Sequence, residues 1–134
     1  MKIVSGTKGS SASPKEKAAF GWELIMDLYD CDSGSISNEK KIQHFAKELC
    51  KMLDMKPYGE PLTAYFGENS ENGRGYSLVQ FIETSSITGH FSESNRAAYI
   101  NLFSSRSYDP DQAEKFTRSY FSAKRMSSRF IIRR

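Results

Sequence analysis

"YSLVQFIETSSITGH", residues 76–90, decides the fold. Its first half alternates, with apolar residues on both faces: Leu78 and Ile82 on one, Val79 and Phe81 on the other. Apolar residues on both faces mark a strand covered on both sides, so 76–83 is expected to lie centrally in its sheet. Three hydroxyl residues, Thr84-Ser85-Ser86, end that strand, and His90 follows five residues after Ser85. Such a junction is commonly no more than a strand running into a turn. It is also a place where a sheet can hold reactive groups rigidly.

Working outward, "WELIMDLY" (22–29) alternates, with Trp22, Leu24, Met26 and Leu28 on one face, and reads as a strand. "DCDSGS" breaks it with turn residues. Residues 38–55 carry Ile42, Phe45, Ala46, Leu49, Cys50 and Leu53 at helical spacing, with Ser37 or Asn38 as cap, Glu39 in the first turn and Pro57 beyond the end. His44 falls off that stripe and reads as solvated surface. "PLTAYFG" (61–67) and "AAYINLFS" (97–104) are further strands, and "ENSENGRG" (68–75) is a turn cluster. A second helix starts at "DPDQ", with Asp109 as cap, Pro110 at the first helical position and Gln112 at the reciprocal capping site; Ala113, Phe116, Tyr120 and Phe121 form its stripe. "RMSSRFIIR" (125–133) alternates as a last strand.

The order is therefore β-α-β-β-β-α-β. It predicts an α+β fold, a two-layer α/β sandwich with two helices on one face of a mainly antiparallel sheet. A second subunit could cover the other face.

A length of 134 residues, 38% hydrophobic and 26% charged, suits one domain with one core. No run of about 18 apolar residues is present, so no transmembrane helix is expected. The start lacks the apolar segment of a signal peptide and reads as a disordered Ser/Gly/Lys tail over 1–19, with the domain at 20–134. Cys31 and Cys50 then read as free thiols in a reducing compartment, the cytoplasm. The net charge of +3 comes largely from the tail and the basic end. No aromatic-plus-basic ladder accompanies it, so the expectation is a solvated strand face with no nucleic-acid or membrane partner.

Three stretches taken together resemble one family. "WELIMDLYDCD" is similar to a strand ending in Leu-Tyr-Gly-Cys-Asp; "GYSLVQFIETSSITGH" is similar to a Gly-Val-Ser strand that runs into Glu-Ser-His and ends at a histidine; "AAYINLFSSRSYDP" is similar to Ala-Ala-x-Asp-x-Phe-x-Cys followed by Asp-Pro and a helix. The family is the prokaryotic-type S-adenosylmethionine decarboxylases, which make a pyruvoyl cofactor from an internal serine, and the resemblance covers about residues 20–134. Two registers compete. Matching Glu83-Thr84 to the family's Glu-Ser makes Thr84 the nucleophile and puts Gly89 at the histidine position. A shift by one puts Ser85 at the nucleophile, Ser77 at the processing serine, His90 at the histidine, Asn101 at the aspartate and Ser105 at the catalytic cysteine. The second register needs no gap from 75 to 105 and is preferred.

The resemblance implies self-cleavage between Thr84 and Ser85. The Ser85 hydroxyl would attack the preceding carbonyl, Ser77 would donate a hydrogen bond and His90 would serve as base. It also implies S-adenosylmethionine as substrate, a role in polyamine (spermidine) synthesis, and a homo-oligomer, most simply a dimer, with active sites shared at the interface. Tyr76 and Phe91, with Tyr65 and Phe66, are candidates to stack on the substrate, and Glu83 or Glu93 to face its sulfonium; core packing and solvated carboxylates are the competing assignments. The chain departs from the family at Thr84 (for Glu), Ser86 (for His), Ser105 (for Cys) and "FSES" (for Trp-Pro-Glu). A hydroxyl is a far poorer proton donor than a thiol of pKa about 8.5, so weak or absent decarboxylation is expected. The alternatives are an unprocessed S-adenosylmethionine-binding or regulatory subunit, or a different chemistry on S-adenosylmethionine in the same pocket.

Overall fold

Alternation in Gly21–Tyr29 (β2) builds the middle of the sheet: Leu24, Met26 and Leu28 are wholly buried beneath the helices, while Glu23, Ile25 and Asp27 face the other way, half-buried. The computed structural model describes residues 2–4, 18–70 and 72–134. Around β2 lie β1 (Lys2–Val4), α1 (Ser33–Ile36), α2 (Glu39–Met52), β3 (Leu62–Phe66), β4 (Gly75–Ile82), β5 (Ser85–Ser92), β6 (Ala97–Ser104), α3 (Pro110–Tyr120) and β7 (Arg125–Arg133). The seven strands form one sheet in the order β1-β7-β2-β6-β5-β4-β3. Every pairing is antiparallel except β1 with β7.

Both long helices lie on one face, as the order of elements predicts. Phe45 of α2 stacks on Phe116 of α3 at 6.1 Å between centroids and meets Phe121 at 4.9 Å. Phe121 in turn meets Phe91 of β5 at 5.3 Å. Asn38 caps α2 by accepting from the Lys41 amide, and Asp109 caps α3 with Pro110 behind it. Phe116 and Tyr120 are only partly buried, and Thr117 and Glu114 take inward positions on α3 as well.

Three expectations need correction. Ser85–Ser92 is a strand, which the expected order of elements lacks, so β5 lies between β4 and β6. "DCDSGS" holds a short helix, α1, because the Asp32 side chain accepts from the Ser35 amide and caps it. Strand β4 is interior but next to last, between β5 and the edge strand β3. Most of the expected tail, 1–19, lies outside the described residues; within it, Lys2–Val4 runs parallel to β7.

The face opposite the helices carries Leu62, Phe66, Phe81 and Tyr99, exposed by 58, 59, 53 and 39%. Among the described residues no helix is long and apolar enough to cross a membrane.

Candidate active site

Ile82 pairs with Ser85, so Glu83 and Thr84 are the whole connection between β4 and β5. Two-residue hairpin loops require unusual backbone angles. Thr84 takes φ of 57°, in the left-handed region that costs a β-branched residue most. The Thr84–Ser85 bond thus sits at the tip of a tight hairpin, directly after a strained residue.

The hydroxyls at this tip are interlinked. Ser85 Oγ donates to Ser104 Oγ at 3.0 Å and accepts from the Ser105 amide at 3.3 Å. Ser104 Oγ also accepts from the Arg106 amide at 2.9 Å. Thr84 Oγ1 donates to Glu83 O at 2.6 Å and is hydrogen-bonded to Ser105 Oγ. These contacts follow from register, since Ser85 pairs with Ser104 across β5 and β6. A cavity of about 240 Å³ opens beside them, lined by Met55, Lys56, Arg106, residues 82–85 and Ser104. Arg106 is held there by donating to Asp54 O at 3.0 Å.

Ser77 and His90 meet elsewhere. They are partners across β4 and β5, and Ser77 Oγ and His90 Nδ1 are hydrogen-bonded at 3.0 Å. Five residues separate His90 from Ser85 on one strand, roughly 16 Å at about 3.3 Å per residue. The odd spacing also puts them on opposite faces: Ser85 with Ile87 toward the helices, His90 with Thr88 and Ser86 away from them. One chain therefore does not bring Ser77 and His90 to Ser85. A second cavity, about 220 Å³, lies beside that pair and is edged by Phe66, Asn72 and Tyr99.

Among the candidates for substrate contact, Glu83 is exposed at the hairpin tip beside the first cavity. Phe91 is 2% exposed and packs on Phe121, a core position. Tyr76 is half-buried, edge-on to Tyr65 at 4.9 Å, and the Tyr65 hydroxyl donates to Glu93 at 2.9 Å, with Arg74 3.9 Å from the same carboxylate. Asn101 donates to Glu23 at 3.3 Å on the face away from the helices. Ser104, Lys56 and Arg106 escaped the sequence reading. Ser104 could have been found from the inward alternation of Ile100 and Leu102, whereas Lys56 arrives from a loop with no periodic signal.

The family model for S-adenosylmethionine decarboxylase matches residues 22–134. S-adenosylmethionine decarboxylase proenzymes from two strains of Clostridium botulinum are each 24% identical over 114 residues, covering 84% of this chain and 93% of theirs. The crystal structure of the adenosylmethionine decarboxylase from Aquifex aeolicus superposes with a TM-score of 0.71 at 17% identity, covering 86% of this chain and 91% of that one.

Proposed function

Because this chain belongs to the S-adenosylmethionine decarboxylase family, we propose that it is a self-processing decarboxylase of S-adenosylmethionine, cut between Thr84 and Ser85 to leave a pyruvoyl group at residue 85, and that it serves polyamine (spermidine) synthesis. The observation that carries this is the hairpin tip. Ser85 follows a left-handed Thr84, and its hydroxyl is held from two sides by Ser104 and the Ser105 amide. An internal acyl shift needs a strained peptide bond, an aligned hydroxyl and hydrogen-bond donors near the developing oxyanion. The tip supplies a strained residue directly before the bond and a hydroxyl held by two hydrogen bonds, and the Thr84 hydroxyl there is bonded to that of Ser105.

In that shift Ser85 Oγ bonds to the Thr84 carbonyl carbon, the Thr84–Ser85 C–N bond breaks, and the hydroxyl proton ends on the freed nitrogen. Removal of the Ser85 α-proton then expels the Thr84 carboxylate, and hydrolysis of the new chain end releases ammonia. A pyruvoyl group at 85 would accept the electron pair left behind when a substrate carboxylate departs as CO₂. Glu83 would attract the sulfonium of the substrate, a role supported by its position on the lining of the cavity beside the tip.

The removed base fits a dimer. Ser77 and His90 are hydrogen-bonded to each other but stand apart from Ser85 of their own chain. The face that carries His90 also exposes Leu62, Phe66, Phe81 and Tyr99. In this reading the base for Ser85 of one chain is the Ser77–His90 pair of a second copy packed through that face. Cytoplasmic location is supported by Cys31 and Cys50, which are free and buried.

Intact-mass measurement of the purified protein tests the proposal. Fragments 1–84 and 85–134 are expected, the second lighter by one ammonia than a peptide starting in serine, and Ser85→Ala should stay whole. One observation favours a second cut site. Thr84 Oγ1 lies 2.6 Å from Glu83 O, the carbonyl oxygen of the bond it would attack, and touches Ser105. Cleavage after Glu83 that survives Ser85→Ala and stops in Thr84→Ala would assign the nucleophile to Thr84, leaving a 2-oxobutanoyl end. A wild-type chain that stays whole overturns self-processing.

A further inference from the structure

Ser104 occupies a position that neither the acyl shift nor core packing explains by itself. It lies on β6 in an inward row with Ala98, Ile100 and Leu102, all wholly buried and apolar. Ser104 is buried just as fully. A hydroxyl there stabilises nothing by apolar burial and is costly unless bonded. It is bonded twice, accepting from the Arg106 amide at 2.9 Å and from the Ser85 hydroxyl at 3.0 Å. The Arg106 bond fixes the Ser104 oxygen from the backbone side. That fixed oxygen then receives the one proton Ser85 can donate.

The consequence is rotational. A serine hydroxyl at a strand start can occupy three staggered positions about χ1. The bond to Ser104 selects one of them, and the Ser105 amide, donating to Ser85 Oγ at 3.3 Å, supports the same one. We infer that Ser104 is a positioning residue for self-cleavage: it holds the Ser85 hydroxyl in one rotamer beside the Thr84–Ser85 bond and, through its bond to the Arg106 amide, ties that rotamer to the backbone just beyond the end of β6. This rests on processing at Ser85. Ser104 forms no bond to the reacting carbonyl, and atoms balance as in the shift described above, with the Ser85 proton passing finally to the Ser85 nitrogen.

Misplacement of a reacting group by about 1 Å can cost on the order of 10²-fold in rate. The test follows self-cleavage by intact mass over time in freshly purified chains, with thermal unfolding recorded for each. Ser104→Ala should fold and cleave roughly 10- to 100-fold more slowly, and Ser104→Thr, which keeps an oxygen on the β-carbon, should recover much of the rate. Ser128→Ala is the control: Ser128 is another serine buried on the helix-facing side, two strands away on β7, and its loss should leave the rate unchanged. If Ser104→Ala unfolds, Ser104→Thr beside Ser104→Val decides, since only the first keeps the hydroxyl in a similar shape; a rate recovered in Thr and lost in Val supports the role, and equal rates overturn it. A wild type that cleaves alongside a Ser104→Ala chain cleaving as fast overturns the positioning role alone. A wild type that does not cleave overturns processing and this role with it.

Discussion

In the proposed reaction the residue whose chemistry bears most on turnover is Ser105. Its oxygen is tied to Thr84 and its amide to Ser85, so it is well placed beside the hairpin tip. A hydroxyl protonates a carbanion reluctantly, and a thiol does so readily. Neither cysteine of the chain substitutes for it: Cys31 and Cys50 are buried, and burial pushes both thiols up to about 11. Labelled CO₂ should therefore leave carboxyl-labelled S-adenosylmethionine slowly in the wild type, and Ser105→Cys should raise the rate on the order of 10²-fold. Fast release that ignores this substitution would assign proton return to another group. Thr84 supplies a second prediction. Glycine accepts a φ of 57° without the cost threonine bears there, so Thr84→Gly should stabilise the fold by about 1 kcal/mol while slowing self-cleavage, because relief of strain removes a driving force for breaking the bond. Melting curves and cleavage time courses read the two effects separately.

The hairpin of β4 and β5 shows how an element can be half legible. Strand β4 was readable because Leu78, Val79, Phe81 and Ile82 crowd into a few residues. Strand β5 kept a strict alternation, Ile87-Gly89-Phe91 inward and Ser86-Thr88-His90 outward. One inward position is a glycine and the outward face is polar, so its apolar signal was diluted. The loop gave no help, since Glu83-Thr84 lacks the Asn-Gly or Asp-Gly chemistry that marks a two-residue turn. The spacing of Ser77, Ser85, His90 and Ser105 was visible in the sequence. Their division into two separate groups was not, because it follows from the pairing of β5 with both neighbours. Gly75, where β4 begins, has φ of 154°, and a β-carbon there would come within 1.7 Å of the Phe91 carbonyl oxygen, which is backbone and cannot rotate away. Gly75→Ala should lower stability by about 3 kcal/mol or more, seen as a lower urea midpoint.

At the scale of the molecule, the proposed dimer packs through the exposed apolar residues of the face away from the helices. Light scattering at micromolar concentration should give a dimer, and Phe81→Glu, which puts a charge among Leu62, Phe66 and Tyr99, should shift it toward monomer. If each site draws Ser85 from one chain and His90 from the other, a Ser85→Ala chain and a His90→Ala chain should each be inert alone. Mixed during refolding, they should restore cleavage in part of the His90→Ala chains, because a mixed dimer retains one complete set. Failure of the mixture to cleave, with dimers present, would put both groups to work within one chain. A cut after residue 84 gives a long piece owning β1, β2, β3 and β4 and a short piece owning β5, β6 and β7, yet across the sheet they alternate: β1, then β7, then β2, then β6 and β5, then β4 and β3. With β2 clasped between β7 and β6, the pieces cannot slide apart while the sheet survives. Severing the chain therefore leaves the native protein whole but adds pieces that must meet on refolding, so the melting temperature of the cut form should climb with protein concentration more steeply than that of the uncut Ser85→Ala chain.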